Sequence, residues 1–282
     1  MIRGPLADQA ARLAAEREPF VLATVVRARR PTSVHPGDAA IVRGDGTLTG
    51  FVGGVCAESS VRLHALRALE TGEPILLRLV PEDAVDPDAG STDDAVVERN
   101  PCLSGGALEI FLEPQLPAPR IVVVGGAPIA AAVRDLARAA GYEVADAAPR
   151  AGDAAVVVAS HGSAEEALLA DALQAGVPYV ALVASRKRGE AVRATLEVPD
   201  ELRVRLHTPA GLDIGARTPS EIAIAILAEL VSEHHTQPGR PVRVAVDPVC
   251  GMEVAVNDAT PWAAGAHFCS ARCRDAYAAQ HA

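Results

Sequence analysis

Beyond Pro119 the chain alternates between short apolar runs and stretches of helical periodicity, and this alternation constrains the fold most. The runs are Arg120 to Val124, Gly141 to Val144, Ala154 to Ala159, Val177 to Val183 and Leu202 to Leu206. Helical patterns separate them, beginning with Ile129 to Ala140. Strands and helices alternating in this way predict an α/β domain built on a doubly wound parallel sheet. Thr218, Pro219 and Glu221 then predict a capped helix start, and the helix from Ser220 to Val231 closes the domain.

The turn after the first run tests for a dinucleotide site, which needs Gly-x-Gly-x-x-Gly/Ala for steric reasons. Here the residues are Gly125-Gly126-Ala127-Pro128-Ile129-Ala130, so Ala127 stands where the backbone must approach a pyrophosphate. The second run should end in an acid that holds a ribose hydroxyl. Asp146 comes too early, and Ala147 and Ala148 follow it. The expectation is a Rossmann-like scaffold without that cofactor.

His161 and Ser185-Arg186-Lys187-Arg188 each follow a run, where such a sheet opens its ligand crevice. His161 reads equally as a crevice contact or as a satisfied loop histidine. Ser185 and Arg186 suit a phosphate or carboxylate, although a surface basic cluster needs no function. Asp213 and Arg217 lie in a loop of small residues and are placed to pair with each other.

Residues 1–114 predict a mixed α+β domain. Leu6, Ala10, Leu13 and Ala14 have helical spacing, and Phe20 to Val26 reads as a strand. A basic, proline-bearing loop runs from Arg27 to Gly37. Ala39 to Arg43 and Thr47 to Val52 flank Gly44-Asp45-Gly46 as a hairpin. Ile75 to Val80 and Leu108 to Leu112 are further strands. The acidic run from Glu82 to Glu98 reads as a solvated loop.

Within this domain, Gly53-Gly54-Val55-Cys56-Ala57-Glu58 joins an apolar run to a helical stretch from Glu58 to Glu70. Cys56 falls where a helix begins, and unpaired backbone N–H groups there favour a thiolate. Cys102 lies near a second glycine pair, Gly105 and Gly106. The two loops are expected to form one site, with Glu58 orienting the first. A disulfide between Cys56 and Cys102 stays open as an alternative.

Gln115 to Pro119 and His234 to Pro241 are proline-bearing linkers, which divides the chain into 1–114, 120–235 and 244–282. The last piece is too short to build a core without help. It carries Cys250, Cys269 and Cys273, three of the five cysteines. Three thiols on so short a segment suit zinc or copper(I), with His267, His281 or water as the fourth ligand, the alternative being three buried free thiols.

The net charge of −10 argues against nucleic-acid or anionic-membrane partners. No apolar run approaches the roughly 18 residues of a spanning helix. Met1 to Gln9 lacks the pattern of a signal peptide, so a cytoplasmic protein with reduced cysteines is expected.

Together these motifs resemble the XdhC/CoxI family, the accessory proteins of xanthine dehydrogenase and carbon monoxide dehydrogenase. The resemblance runs from about Phe20 to Val231. It is carried by Gly53 to Glu58, by Ser104-Gly105-Gly106-Ala107-Leu108-Glu109-Ile110-Phe111-Leu112-Glu113-Pro114, and by Gly211-Leu212-Asp213-Ile214-Gly215-Ala216-Arg217-Thr218-Pro219. The tail resembles a YHS domain through Asp247-Pro248-Val249-Cys250-Gly251-Met252 and Phe268-Cys269-Ser270 with Cys273.

The resemblance implies a maturation factor for a molybdenum hydroxylase. Such a protein binds molybdenum cofactor, protects it while a cysteine desulfurase supplies its sulfido ligand, and passes it to the apo-enzyme. That is a role in binding and delivery, not turnover, and a homodimer is expected. Gly53, Gly54, Cys56, Glu58, Cys102, Gly105 and Gly106 are the expected cofactor loops, with His161, Ser185 and Arg186 in the crevice. The competing readings are a nicotinamide-dependent oxidoreductase and a metal-handling protein that works through its tail.

Overall fold

The computed structural model describes residues 4–81, 95–100, 106–160, 165–236 and 242–281. These fall into two compact units: residues 1–117 with 239–282, and residues 118–238.

The first unit opens with helix α1 (Pro5–Ala15), strands β1 (Phe20–Arg29), β2 (Ala39–Arg43) and β3 (Leu48–Gly50), and helix α2 (Val55–Thr71). Strands β4 (Ile75–Pro81), β5 (Ala95–Asn100) and β6 (Ala107–Gln115) follow. The six strands form one sheet in the order β3-β2-β1-β6-β4-β5. Every pairing is antiparallel except β4 with β5. The hairpin expected around Gly44-Asp45-Gly46 is the β2–β3 pair.

Side-chain alternation decides what each sheet face buries. Val21, Ala23 and Val25 of β1, Leu77 and Leu79 of β4, and Leu108, Ile110 and Leu112 of β6 pack with Ala57, Val61, Ala65 and Ala68 of α2. Phe20 of β1 and Ile41 of β2 pack instead with Leu13 of α1. Helix α2 starts at Val55, three residues before the helical pattern in the sequence, because Gly54 is its N-cap. It stops at Gly72, whose left-handed φ of 74° suits a residue without Cβ.

The second unit contains β7 (Arg120–Val124), α3 (Pro128–Ala139), β8 (Glu143–Ala145), β9 (Ala155–Val158), α4 (Glu165–Gln174) and β10 (Tyr179–Leu182). It continues through α5 (Arg186–Thr195), α6 (Asp200–Arg203), β11 (Leu206–His207) and α7 (Pro219–Thr236). Its sheet is wholly parallel, in the order β11-β10-β9-β7-β8. Ile121, Val123, Ala155, Val157 and Ala181 face α3 and α7. Val122, Val156, Val158, Val180 and Leu182 face α4 and α5. Both faces are covered, which explains the unbroken apolar runs.

One expected strand differs. Leu202 to Leu206 divides into the end of α6 and the start of β11. Asp200 and Glu201 suit the positive end of α6, and the Arg203 guanidinium donates to the carbonyls of Leu196 and Val198, which turns the chain before the sheet.

The tail forms β12 (Val244–Val246), β13 (Glu253–Ala255), β14 (Trp262–Ala263), β15 (Ala266–His267) and α8 (Ala271–His281), as two antiparallel hairpins and a helix. Met252, Val254, Phe268, Cys269 and Cys273 make a small core. The help this short segment needs comes from α2, against which β13 packs. Arg67 pairs with Glu253 at 3.0 Å, and the Val242 N–H donates to Glu70 at 3.3 Å.

Candidate functional site

Cys56 is the second residue of α2, so it sits in the first turn, where backbone N–H groups lack intrahelical partners. Its sulfur is held in a disulfide. A soft-ligand role for Cys56 therefore requires reduction first. Gly53 has φ of 142° and a Cβ there would stand 2.8 Å from that of Ala57, so the close turn into α2 needs glycine. Glu58 lies in the first turn, and its carboxylate has no hydrogen-bond partner among the described residues.

What holds this end of α2 is Glu98. It accepts from the Ser60 hydroxyl at 2.7 Å and contacts His64 Nε2 at 2.9 Å, clamping two residues one turn apart on α2. The acidic run therefore does not read uniformly as a solvated loop: its last member sits on β5 as a structural carboxylate. An acid that lands on a strand beside a buried histidine carries no signal within the run itself.

Cys102, Gly105 and His161 lie outside the described residues. Gly106 is buried at the start of the β6 region. A Cβ there would stand 2.3 Å from the carbonyl oxygen of Pro31, so this glycine is required by the contact with the proline-bearing loop.

The tail brings its three cysteines together. The Sγ atoms of Cys250 and Cys269 are 3.5 Å apart, and those of Cys269 and Cys273 are 3.6 Å apart. Asp247 joins them, and the four donor atoms all lie within 4.8 Å of one another. Sequence reasoning placed no role on Asp247, although it begins the Asp-Pro-Val-Cys segment. Its Oδ1 accepts from the Val249 N–H and its Oδ2 from the Cys269 N–H, both at 2.8 Å. One carboxylate thus folds the Cys250 turn and ties it to the Cys269 turn. Burial raises the Asp247 pKa, but the Cys269 and Val249 N–H bonds outweigh it and hold the carboxyl below its usual range. Burial pushes the Cys250 thiol up to about 11 and the Cys269 thiol higher still.

Tetrahedral zinc with Zn–S bonds of about 2.3 Å places neighbouring sulfurs about 3.8 Å apart, close to the spacing found here. The donor set and its compactness fit a zinc or copper(I) ion.

In the second unit, an opening of about 580 Å³ lies at the carboxyl end of β10. Ser185 and Arg186, the Gly211–Ala216 loop and Ile222 line it. Ser185 caps α5, its hydroxyl accepting from the Arg188 N–H at 3.4 Å. Arg186 is exposed at the first turn. Arg188 belongs to the framework instead, since it pairs with buried Glu165 at 2.5 Å. No ion pair joins Asp213 to Arg217; Glu221 accepts from the N–H groups of Arg217 and Thr218, completing the capping box expected there.

Glu229 of α7 holds the Gly211 loop from beneath. It accepts from the Gly211 N–H at 2.8 Å and the Tyr179 hydroxyl at 2.6 Å, and pairs with His207 at 3.3 Å. Burial raises its pKa, but the bonds from His207, Tyr179 and Gly211 prevail and lower it. At the first turn of the sheet, a Cβ on Gly125 would stand 2.2 Å from the Ala159 carbonyl oxygen, while one on Gly126 meets nothing. Gly125 is thus set by strand packing. Arg134 donates to the carbonyls of Val123 and Gly125, closing the turn from behind.

Among known proteins, the XdhC and CoxI family matches residues 13–79, and the XdhC Rossmann domain matches residues 121–230. An uncharacterized protein of Escherichia coli (strain K12), YqeB, is 28% identical over 266 residues, covering 82% of this chain and 46% of that protein. The chain thus spans about half the length of this curated relative. A crystal structure of a xanthine dehydrogenase from Bacillus halodurans is 16% identical with a TM-score of 0.39, covering 82% of this chain and 96% of that one.

Proposed function

We propose, from the premise that this chain belongs to the XdhC and CoxI family, that it is an accessory protein for maturing a molybdenum hydroxylase. Its cargo is molybdenum cofactor, which it binds, keeps during sulfuration and delivers to the apo-enzyme. The observation that carries this reading is the opening at the carboxyl end of β10. Its volume of about 580 Å³ lies within the ordinary range of small-molecule sites. The start of α5 offers backbone N–H groups, the Ser185 hydroxyl and the Arg186 guanidinium to an anionic group. The exposed apolar side chains of Leu212 and Ile214 offer a surface to a flat heterocycle.

Binding and release without turnover explains what these residues do. Arg186 and Ser185 hold the phosphate, Glu229 fixes the loop that covers the ring, and reduced Cys56 supplies a soft donor. The client is the apo-enzyme and the sulfur source is a cysteine desulfurase, with the protein working as a homodimer in the cytoplasm. Among the described residues no helix is long and apolar enough to cross a membrane. The tail holds zinc or copper(I) on Cys250, Cys269 and Cys273, with Asp247 as the fourth donor.

The test is to isolate the full chain from a cofactor-producing host, oxidise it, and measure pterin fluorescence per chain. Wild type should carry the signal, and Arg186→Ala should lose most of it. A wild type without pterin, or an Arg186→Ala variant that retains it fully, overturns the reading.

A further inference from the structure

Among the described residues, Asp213 is the one acid that lines the opening at the carboxyl end of β10, and Arg186 is the one cation. Neither side chain has a hydrogen bond or ion pair among them. The other acids beside the loop are taken. Glu229 accepts from the Gly211 N–H and the Tyr179 hydroxyl and pairs with His207. Glu221 accepts from the N–H groups of Arg217 and Thr218.

The loop holds Asp213 at the apex of a tight turn, since the Ile214 N–H donates to the Leu212 carbonyl at 2.9 Å. The Leu212 N–H in turn donates to the Ala225 carbonyl of α7 at 3.2 Å. Leu212 and Ile214 flank the acid with exposed apolar side chains. The wall that carries Asp213 starts at Ala210, whose N–H donates to the Leu182 carbonyl at the end of β10. The wall that carries Ser185 and Arg186 starts at Leu182 itself. A chain spans at most about 3.6 Å per residue, so Asp213 lies within about 11 Å of that bond and Arg186 within about 14 Å. The two charges therefore border one opening that apolar side chains also line.

We infer that Asp213 is the specificity-determining residue of this opening, and that its carboxylate selects the amino-oxo pyrimidine edge shared by pterins and guanine. The inference rests on the proposed reading of the opening as the cargo site. An ionised carboxylate only accepts hydrogen bonds, and its two oxygens match two adjacent donors. The amino-oxo edge presents such a pair, a ring N–H beside the exocyclic amine. Adenine offers one donor beside a bare ring nitrogen, and hypoxanthine offers its ring N–H alone. A ligand with this edge at one end and a phosphate at the other meets Asp213 and the Ser185–Arg186 helix start together.

The test measures binding of guanosine, inosine and xanthosine monophosphates to the full chain, freed of bound ligand, by equilibrium dialysis. Wild type should hold guanosine monophosphate at least about tenfold more tightly than inosine monophosphate, which lacks the amine. In Asp213→Asn the amide pairs a donor with an acceptor, which matches the ring N–H and oxo group of xanthine. That variant should therefore prefer xanthosine over guanosine monophosphate, a reversal that a merely structural role would not produce. Wild type that binds guanosine and inosine monophosphates alike, or neither, overturns the inference. A folded Asp213→Asn that keeps the wild-type preference overturns it equally; should the variant fold poorly, the wild-type comparison decides alone.

The source of the natural ligand is read from protein isolated from a cofactor-producing host. Pterin released from wild type and missing from Asp213→Asn assigns the edge to a pterin, whereas released guanine nucleotide assigns it to a nucleotide. Selection of guanosine monophosphate without bound pterin would leave the inference standing and remove molybdenum cofactor as the cargo. Bound pterin without that selection would do the reverse.

Discussion

Asp247 and Cys269 stand 22 residues apart, and the Cys269 N–H donates to Asp247 Oδ2 at 2.8 Å inside the protein. That one bond aligns the Cys269 sulfur with Cys250 and, through the first turn of α8, with Cys273. The carboxylate accepts a second N–H from Val249, so its removal leaves two donors without their acceptor.

Asp247→Ala should therefore loosen the tail while leaving the rest of the fold intact. The buried Cys269 N–H left without its acceptor costs about 1–3 kcal/mol, whereas Val249 is exposed and its N–H can turn to water. Local opening easier by about 1.4 kcal/mol would speed alkylation of Cys269 about tenfold. The rate with a maleimide under EDTA, compared with wild type, checks this.

Zinc should stabilise the full chain if the four donors act together. A ligand at a hundred times its dissociation constant adds about 2.7 kcal/mol. The midpoint of thermal unfolding should rise with zinc and fall back with EDTA, and Cys273→Ser should abolish most of the rise. An unchanged response in that variant would exclude Cys273 as a ligand.

Arg120 and Asp153 form a buried ion pair at 2.5 Å, and Asp153 also accepts from the Arg150 N–H at 2.8 Å. Asp153→Ala leaves a guanidinium buried without its partner. The expected loss is about 3–5 kcal/mol, read from the urea midpoint. A loss near zero would mean that water reaches Arg120.

Glu229 gives a pH dependence of definite sign. Its folded pKa lies below the ordinary value, so its contribution is present above the unfolded carboxylate pKa, about 4.3, and is lost as pH falls through the folded value. Wild type should exceed Glu229→Gln in stability at about pH 7, and the gap should shrink on acidification to about pH 3. Urea unfolding of both proteins at both pH values measures it; a constant gap would remove Glu229 as the source.

The sequence by itself determined the second unit almost completely. Unbroken Val-rich runs require cover on both faces, and a parallel sheet between helices is the arrangement that supplies it. It also marked the capping box at Thr218 and Glu221, because that device is local in the chain. It placed Cys56 at a helix start and gathered Cys250, Cys269 and Cys273 into one short segment. Each of these readings depends on residues a few positions apart.

Only the tertiary structure decided which distant residues share a site. Glu229 has nothing in its surroundings in sequence to mark it, and Asp247 stood only as the first residue of the tail motif with no role, since a lone carboxylate looks the same whether solvated or clamping a buried N–H. Glu98 sat in an acidic run and still became the clamp on Ser60 and His64, because pairing of β5 with β4 carried it there. The packing of Cys56 against the tail core has the same origin. The tail buries too little by itself and leans on α2, and that docking sets Cys56 against the tail core.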